Sequence, residues 1–365
     1  MEEHRGKKLL MLAVLGTAGG SIYLIPFIRY VFYDWQISAM ALTNTQIGLL
    51  TSIYGVFCVT LYVPGGILAD KFSPKLILEI ELIATTIVTV IIAFTLQNGF
   101  HFQLFMWVLL ALGGAIFWAP LFKEMRMIAG EKHQGFYFGF YYMCNGLTGA
   151  IVNWVALKIA AGAATANGKF FICVIVYAVS TAIALLLVML VIREKNIAEV
   201  NPSEDIEKIE TNEFKWSQVG GLLKNPMLWV FSLIVLTGYM IYSSSSYFTP
   251  YLTSVVGITP SDSGYLSIVR TYIFYILTPV SGLVADKVFK STSKWFIVLF
   301  AILTALYFGV MLIPAGASVA AVSFYTLLPG LFGLALYGIQ FSIASESEIP
   351  VILMGTATGV ASIIG

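Results

Sequence analysis

The sequence predicts an all-α, multi-pass membrane protein made of two parallel-repeat bundles of six helices. Three observations carry that expectation. Hydrophobic residues make up 59% of the 365-residue chain and charged residues 11%, with a mean hydropathy of +0.88, far from the balance of soluble domains. The apolar stretches run to about 20 residues or more, too long for barrel strands, and in hydrocarbon helices are the economical way to satisfy the backbone. The second half of the chain also repeats the first.

The first apolar run, Leu9 to Phe32, follows His4, Arg5, Lys7 and Lys8. It is too long for a signal-peptide core and lacks a small-residue cleavage site, so it reads as a retained first span. Five more spans follow: Ile47 to Leu68, Leu76 to Leu96, Phe102 to Phe122, Phe136 to Ala160 and Phe170 to Ile192. A polar gap with Asn201, Pro202 and Ser203 and the alternating charges Glu204, Asp205, Glu207, Lys208 and Glu210 then reads as a solvated linker. Beyond it come Met227 to Thr253, Gly264 to Ala285, Trp295 to Pro314 and Val319 to Ala344. A last run opens at Ile352 and stops at Gly365, inside an eleventh span. The expected organisation is an N-terminal bundle over 1–193, a linker over 194–225 and a C-terminal bundle over 226–365. Six plus six spans predict twelve, so the rest of the eleventh helix and all of the twelfth are expected to be missing.

Placing the N-terminus in the cytoplasm puts 16 of the 20 lysines and arginines on that side. Only Lys158 and Lys169 fall at the outer edge, and Arg29 and Arg270 lie within spans. The positive-inside rule therefore selects a plasma or inner membrane protein with a cytoplasmic N-terminus.

An offset of 216 residues lays Gly65-Gly66-Ile67-Leu68-Ala69-Asp70-Lys71 over Ser281-Gly282-Leu283-Val284-Ala285-Asp286-Lys287, and Thr43, Gly48 and Leu50 over Thr259, Gly264 and Leu266. An offset of 224 pairs Tyr23 and Pro26 with Tyr247 and Pro250, and one of 220 pairs Gly135 and Gly139 with Gly355 and Gly359. Parallel repeats of six-helix halves belong to one large class of transporter. The run Gly66-x-Leu68-Ala69-Asp70-Lys71 followed by Lys75 resembles the loop between helices two and three of the major facilitator superfamily. Gly282-x-x-Ala285-Asp286-Lys287 resembles its weaker copy between helices eight and nine. Ser73 and Pro74 stand where the family usually has glycine and arginine, so weaker charge pairing is expected there. The resemblance implies the major facilitator fold, alternating access, and a gate latch at Asp70, Lys71, Lys75, Asp286 and Lys287. Physically, an aspartate at a helix C-terminus wants cations nearby. A static turn with a solvated ion pair is the alternative. Lys123, Glu124 and Arg126, with Glu131 and Lys132, are expected to form a charged hinge after the fourth span. It reads either as a solvated salt-bridge network or as an inner gate that attracts anions, with Arg126 as its gating residue.

Arg270 lies 16 residues before Asp286, about 24 Å along a helix, in the outer half of the membrane. A buried arginine at such depth should face a cavity or bundle interior and have a partner. Substrate, a fixed pair with Asp262, or outward snorkelling would each meet that need. Arg29 sits nearer the outer end of the first span, where it can snorkel or join Arg270 on one anion, since guanidinium groups suit carboxylate, phosphate and sulfonate. Further solute contacts are expected from Tyr54, Asn145, Gln340, Tyr242 and Tyr247. The last two belong to a polar, aromatic stretch before Pro250 that can unwind where it lines a cavity. Packing or interfacial placement is the alternative for each tyrosine.

Cys58, Cys144 and Cys173 fall inside apolar runs and suggest no disulfide framework. No metal-binding motif, nucleotide loop or nucleophile constellation is present, so neither an enzyme, a cofactor nor a metal is expected. A net charge of +1 gives no reason to expect nucleic acid. His4, His101 and His133 lie at ends or in loops, and Glu79 and Glu81 lie close to one end of the third span, so no midplane proton carrier stands out. The expected partners are the bilayer, a small solute, and a coupling ion or counter-solute. The expected cargo is anionic: an organic acid, a sugar acid or a phosphorylated metabolite. A neutral sugar is the alternative, with a membrane-embedded enzyme or sensor and a passive channel more remote.

Overall fold

A computed structural model describes residues 2–130, 134–193, 197, 216–245, 248–258, 266, 269–270, 272–313, 317–347 and 349–364. The predicted positions Tyr247, Asp262, Glu131 and Lys132, and most of the linker, lie outside these residues.

The first predicted span is two helices, α1 (Glu2–Ile22) and α2 (Arg29–Met40), joined by a turn. The correction has a local cause, because Pro26 cannot donate the backbone hydrogen bond a continuing helix requires. Next come α3 (Asn44–Lys71), α4 (Pro74–Phe94), α5 (Phe100–Ala129), α6 (Gln134–Ala160) and α7 (Ala166–Val191). Thr43 opens α3 with a capping box to Gln46, and Pro74 sits in the first turn of α4, where its missing N–H costs nothing. Helix α5 ends seven residues later than expected, at Gly130, whose φ of +74° suits glycine.

Beyond the linker, α8 (Trp216–Lys224) bends by 68° into the seventh span. That span is α9 (Pro226–Ser244), then α10 (Phe248–Tyr251) with a π-turn over Leu252–Val256. The eighth is a 3₁₀ stretch Ile273–Leu277, α11 (Thr278–Leu283) and a π stretch Val284–Phe289, rather than one regular helix. Helices α12 (Thr292–Met311) and α13 (Val319–Tyr337) follow. A 3₁₀ turn over Gln340–Ser345 completes the tenth span, and α14 (Met354–Ile364) is the last helix.

Among the described residues, six helices are long and apolar enough to cross a membrane unbroken, and a seventh counts if α8 and α9 form one bent span. Fewer pass than the sequence predicts: the first span is broken into α1 and α2, and α6, although unbroken, is not among those that pass. Large hydrophobic side chains such as Phe94, Trp154, Leu190, Ile297, Phe308 and Phe324 point outward, a surface suited to lipid rather than water. Asp70 and Asp286, together with the start of α1, lie at one end of the assembly, called here the basic face.

Candidate functional site

Two seams join the halves of the chain, α3 against α14 and α6 against α11. Both depend on glycine. A side chain on Gly66 would collide with the backbone of Gly355 and Thr356, and one on Gly282 with the backbone of Gly135. Gly359 likewise lies on the Tyr62 carbonyl, and Gly139 on the Thr278 carbonyl. Small residues permit this approach of helix backbones. The contacts obey the repeat, since Gly282 and Thr278 follow Gly66 and Tyr62 by 216, while Gly355 and Gly359 follow Gly135 and Gly139 by 220.

Each seam closes at the basic face on an aspartate. Asp70 accepts from the backbone N–H of Gly355 at 3.0 Å, and from the backbone N–H and hydroxyl of Thr356 at 2.7 and 2.6 Å. Asp286 accepts from the backbone N–H of Phe136 at 2.9 Å. The carboxylate at the end of one half's helix therefore caps the N-terminus of a helix in the other half, where unsatisfied N–H groups and the helix dipole favour negative charge.

The cation expected beside Asp70 is not its sequence neighbour. Lys71 is exposed, with its ammonium 5.8 Å from the Phe72 ring centroid, and Lys75 pairs with Glu79 at 3.4 Å. Lys123 of α5 lies 3.5 Å from Asp70 and donates to the Ala69 carbonyl at 2.8 Å. Lys287 is exposed. Arg126 donates to the Met354 sulfur at 3.2 Å, which places it against the start of α14. The charges expected in a solvated hinge belong to the last turns of α5, where Lys123, Glu124 and Arg126 are all buried.

Deeper in the assembly, tyrosines from four elements meet. Tyr142 of α6 stacks on Tyr275 with centroids 5.9 Å apart and planes at 5°, and Tyr242 of α9 stacks on Tyr337 of α13 at 4.4 Å and 17°. Tyr142 meets Tyr337 edge-on at 5.4 Å, joining the pairs across the halves. Gln340 is 1% exposed and lies against Gly238, and its Oε1 has no hydrogen-bond partner among the described residues. Asn145 donates to the Tyr141 hydroxyl at 3.2 Å beside Gly19 of α1, and the Tyr54 hydroxyl lies over Gly114 of α5. Sequence reasoning named Tyr242, Gln340, Asn145 and Tyr54 but missed Tyr142, Tyr275 and Tyr337, which no motif marks.

The two arginines sit in separate halves. Arg29 opens α2 and donates to the Thr51 hydroxyl at 3.5 Å. Arg270 is 2% exposed, its stem lies on Gly330 of α13, and its guanidinium stands 5.5 Å from the Phe248 ring centroid. Phe248 stacks in turn on Tyr307 of α12 at 5.7 Å.

Two helical halves with lipid-compatible outer surfaces are closed on each other by reciprocal caps, the parallel-repeat architecture of one large class of secondary transporter. The chain belongs to the Major Facilitator Superfamily, whose sequence profile matches residues 9–365. It is 24% identical to the inner membrane protein YqcE of Escherichia coli, over 100% of this chain and 85% of that protein. It is 26% identical to the inner membrane protein YihN of the same organism, over 84% and 72%. The crystal structure of FucP, a major facilitator transporter in the outward conformation, superposes with a TM-score of 0.69 at 16% identity, covering 98% of this chain and 88% of that one. That superposition shows the fold. The protein is a multi-pass membrane transporter of this superfamily.

Proposed function

We propose that this transporter carries a small anionic solute by alternating access, with Arg270 as the principal anion-binding residue. The observation that carries this reading is a guanidinium 2% exposed among aromatic side chains inside a membrane-spanning bundle. A charge held there costs about 2.5–3.5 kcal/mol on the insertion scale and marks solute pathways more often than packing. Organic acids, sugar acids and phosphorylated metabolites fit a bidentate guanidinium. Arg29, Asn145, Tyr54, Tyr242 and Gln340 supply further contacts in this reading, as does Tyr247.

The halves 1–193 and 226–365 act as two rocking bodies joined by the linker 194–225, with the basic face in the cytoplasm. Asp70, Asp286, Lys123 and Arg126 hold that face shut when the opposite face is open. A membrane-impermeant maleimide should then label Lys71→Cys from the cytoplasmic side only, and labelling from outside would reverse the orientation.

A neutral sugar is the second reading, favoured by the tyrosine cluster and the unsatisfied Gln340 amide. One experiment separates them: thermal unfolding of wild type and Arg270→Ala against organic acids, sugar phosphates and neutral sugars. A ligand at 100 times its Kd stabilises by about 2.7 kcal/mol. Stabilisation by an anion that disappears in Arg270→Ala is the expected result. Equal stabilisation of both proteins by a neutral sugar would make Arg270 structural and select the second reading.

A further inference from the structure

One sulfur atom bridges the two halves. Met354 opens α14 and is 0% exposed, and its Sδ accepts from Nη1 of Arg126, in the last turns of α5, at 3.2 Å. The next two residues, Gly355 and Thr356, supply the N–H groups that cap Asp70. This turn has no slack. A Cβ on Gly355 would stand 2.7 Å from the Gly66 carbonyl oxygen and 2.8 Å from both the Ala69 Cβ and Asp70 Oδ1. The thioether therefore sits beside the latch, sealed between helices of both halves. Met40 offers the contrast, since its sulfur accepts from Gln36 at 3.8 Å, a contact within one helix.

A thioether is a weak acceptor, and oxidation converts it to a polar sulfoxide. Hydrogen peroxide supplies the oxygen. The sulfur lone pair attacks one peroxide oxygen, and the S–O bond forms as the O–O bond breaks. The proton on the transferred oxygen passes to the departing hydroxide, which leaves as water. Sulfur is oxidised by two electrons and peroxide is reduced by two, so no further reactant is needed. With the latch closed, the oxidant does not reach a sulfur this deeply covered. When the halves part, α3 and α5 of the first half withdraw from α14 of the second, and the sulfur meets water. That exposure rests on the alternating-access reading.

We infer that Met354 is an oxidation site that hydrogen peroxide reaches only when the basic face is open, and that its sulfoxide then keeps that face from closing. An oxygen interposed between sulfur and guanidinium must lengthen the 3.2 Å contact. The backbone contacts of Gly355 leave α14 no room to give way, so the added atom overpacks the seam and opposes closure. Arg126 can still donate to the sulfoxide oxygen at a slightly wider spacing, and hydrogen bonds from a charged donor are the stronger kind. The seam is thus held ajar rather than released. Methionine sulfoxide reductases return the thioether, so the stall lasts as long as the oxidant and is then reversed.

Peptide mass spectrometry of the whole protein in liposomes, after treatment with hydrogen peroxide, tests the site. Gly359→Val crowds the Tyr62 carbonyl in the same seam and should speed oxidation of Met354 about tenfold over wild type. Met311, 80% exposed, should convert equally in both proteins. In a background lacking Cys58, Cys144 and Cys173, maleimide labelling of Thr278→Cys reports whether the halves have parted. Raised labelling with Met354 oxidised no faster than in wild type overturns the site and leaves the transport reading standing. Unchanged labelling together with unchanged oxidation overturns the rocking of the halves, and the inference falls with it. Should Gly359→Val fail to fold, Met354→Gln takes its place as a polar mimic of the sulfoxide. It should raise labelling of Thr278→Cys about tenfold, whereas Met354→Leu, which keeps the bulk without the sulfur, should label as wild type does. Equal labelling of all three would show that a polar group at this position does not hold the seam ajar.

Discussion

Asp70 and Asp286 hold the same place in the two repeats but do unequal work. Asp70 is buried beside Lys123 and takes a hydroxyl as well as two backbone donors from α14. Asp286 is half-buried, and its counterpart donor, Phe136, has no hydroxyl to offer. Removing one partner from a buried ion pair costs about 3–5 kcal/mol, because the other charge stays behind unpaired. Asp70→Asn should therefore lower unfolding stability by that order. Asp286→Asn acts at a half-buried site, where solvent screens the charge, and should cost less, and Lys71→Ala should change little. Thermal unfolding of the three variants checks this, and equal losses at the two aspartates would show that the seams are equivalent. The motif made both aspartates legible in the sequence. It pointed to Lys71 and Lys75 as partners, whereas the ion partner of Asp70 comes from α5, and no local spacing encodes that proximity.

At the scale of elements, breaks carry as much information as helices. The repeat pairs Tyr23 and Pro26 with Tyr247 and Pro250; α1 ends at Ile22, just before the first pair, whereas Pro250 lies within α10. The sequence allowed unwinding in the seventh span but did not anticipate the break in the first, where Pro26 stands between α1 and α2.

A second device joins the tenth span to the ninth. Glu346 accepts from the hydroxyls of Ser291 and Ser293 at 3.0 and 2.6 Å, and from the backbone N–H groups of Thr292 and Ser293, so it caps α12 from another element. Burial pushes the Glu346 carboxyl up. The hydrogen bonds from Ser293, Thr292 and Ser291 outweigh that and hold it below the usual glutamate range. Because its native pKa is depressed, its contribution to stability is present above the unfolded value, about 4.3, and is lost as the pH falls towards the native value. The gap in unfolding temperature between wild type and Glu346→Gln should be constant near neutrality and shrink below about pH 4. A gap independent of pH would remove the carboxylate from the cap. The offset of 220 places Arg126 at the same position in the first half, so the repeats carry opposite charges there.

For the whole molecule, two seams closed by matching contacts imply that the halves part together. Valine at 359 would drive a side chain into the Tyr62 carbonyl and the Val63 backbone, and overpacking of this kind costs about 1–3 kcal/mol. That is enough to shift a two-state equilibrium by about fivefold to 150-fold. In a background lacking Cys58, Cys144 and Cys173, Gly359→Val should raise maleimide labelling of Thr278→Cys, in the other seam, by about tenfold. Unchanged labelling would show that the seams open independently.

The sequence alone determined the solvent, the helical class, the repeat and the superfamily, because each is written in composition, in periodic hydropathy or in a short motif, and these survive without knowledge of contacts. The glycine offsets even encoded which seam contacts correspond, although not what each glycine touches. Only the tertiary structure decided that Lys123 rather than Lys71 neutralises Asp70, that Lys123, Glu124 and Arg126 are buried in α5, and that Tyr142, Tyr275 and Tyr337 join Tyr242. Each of these depends on the approach of residues far apart in the chain, and on the burial that approach creates, so local sequence pattern is blind to it.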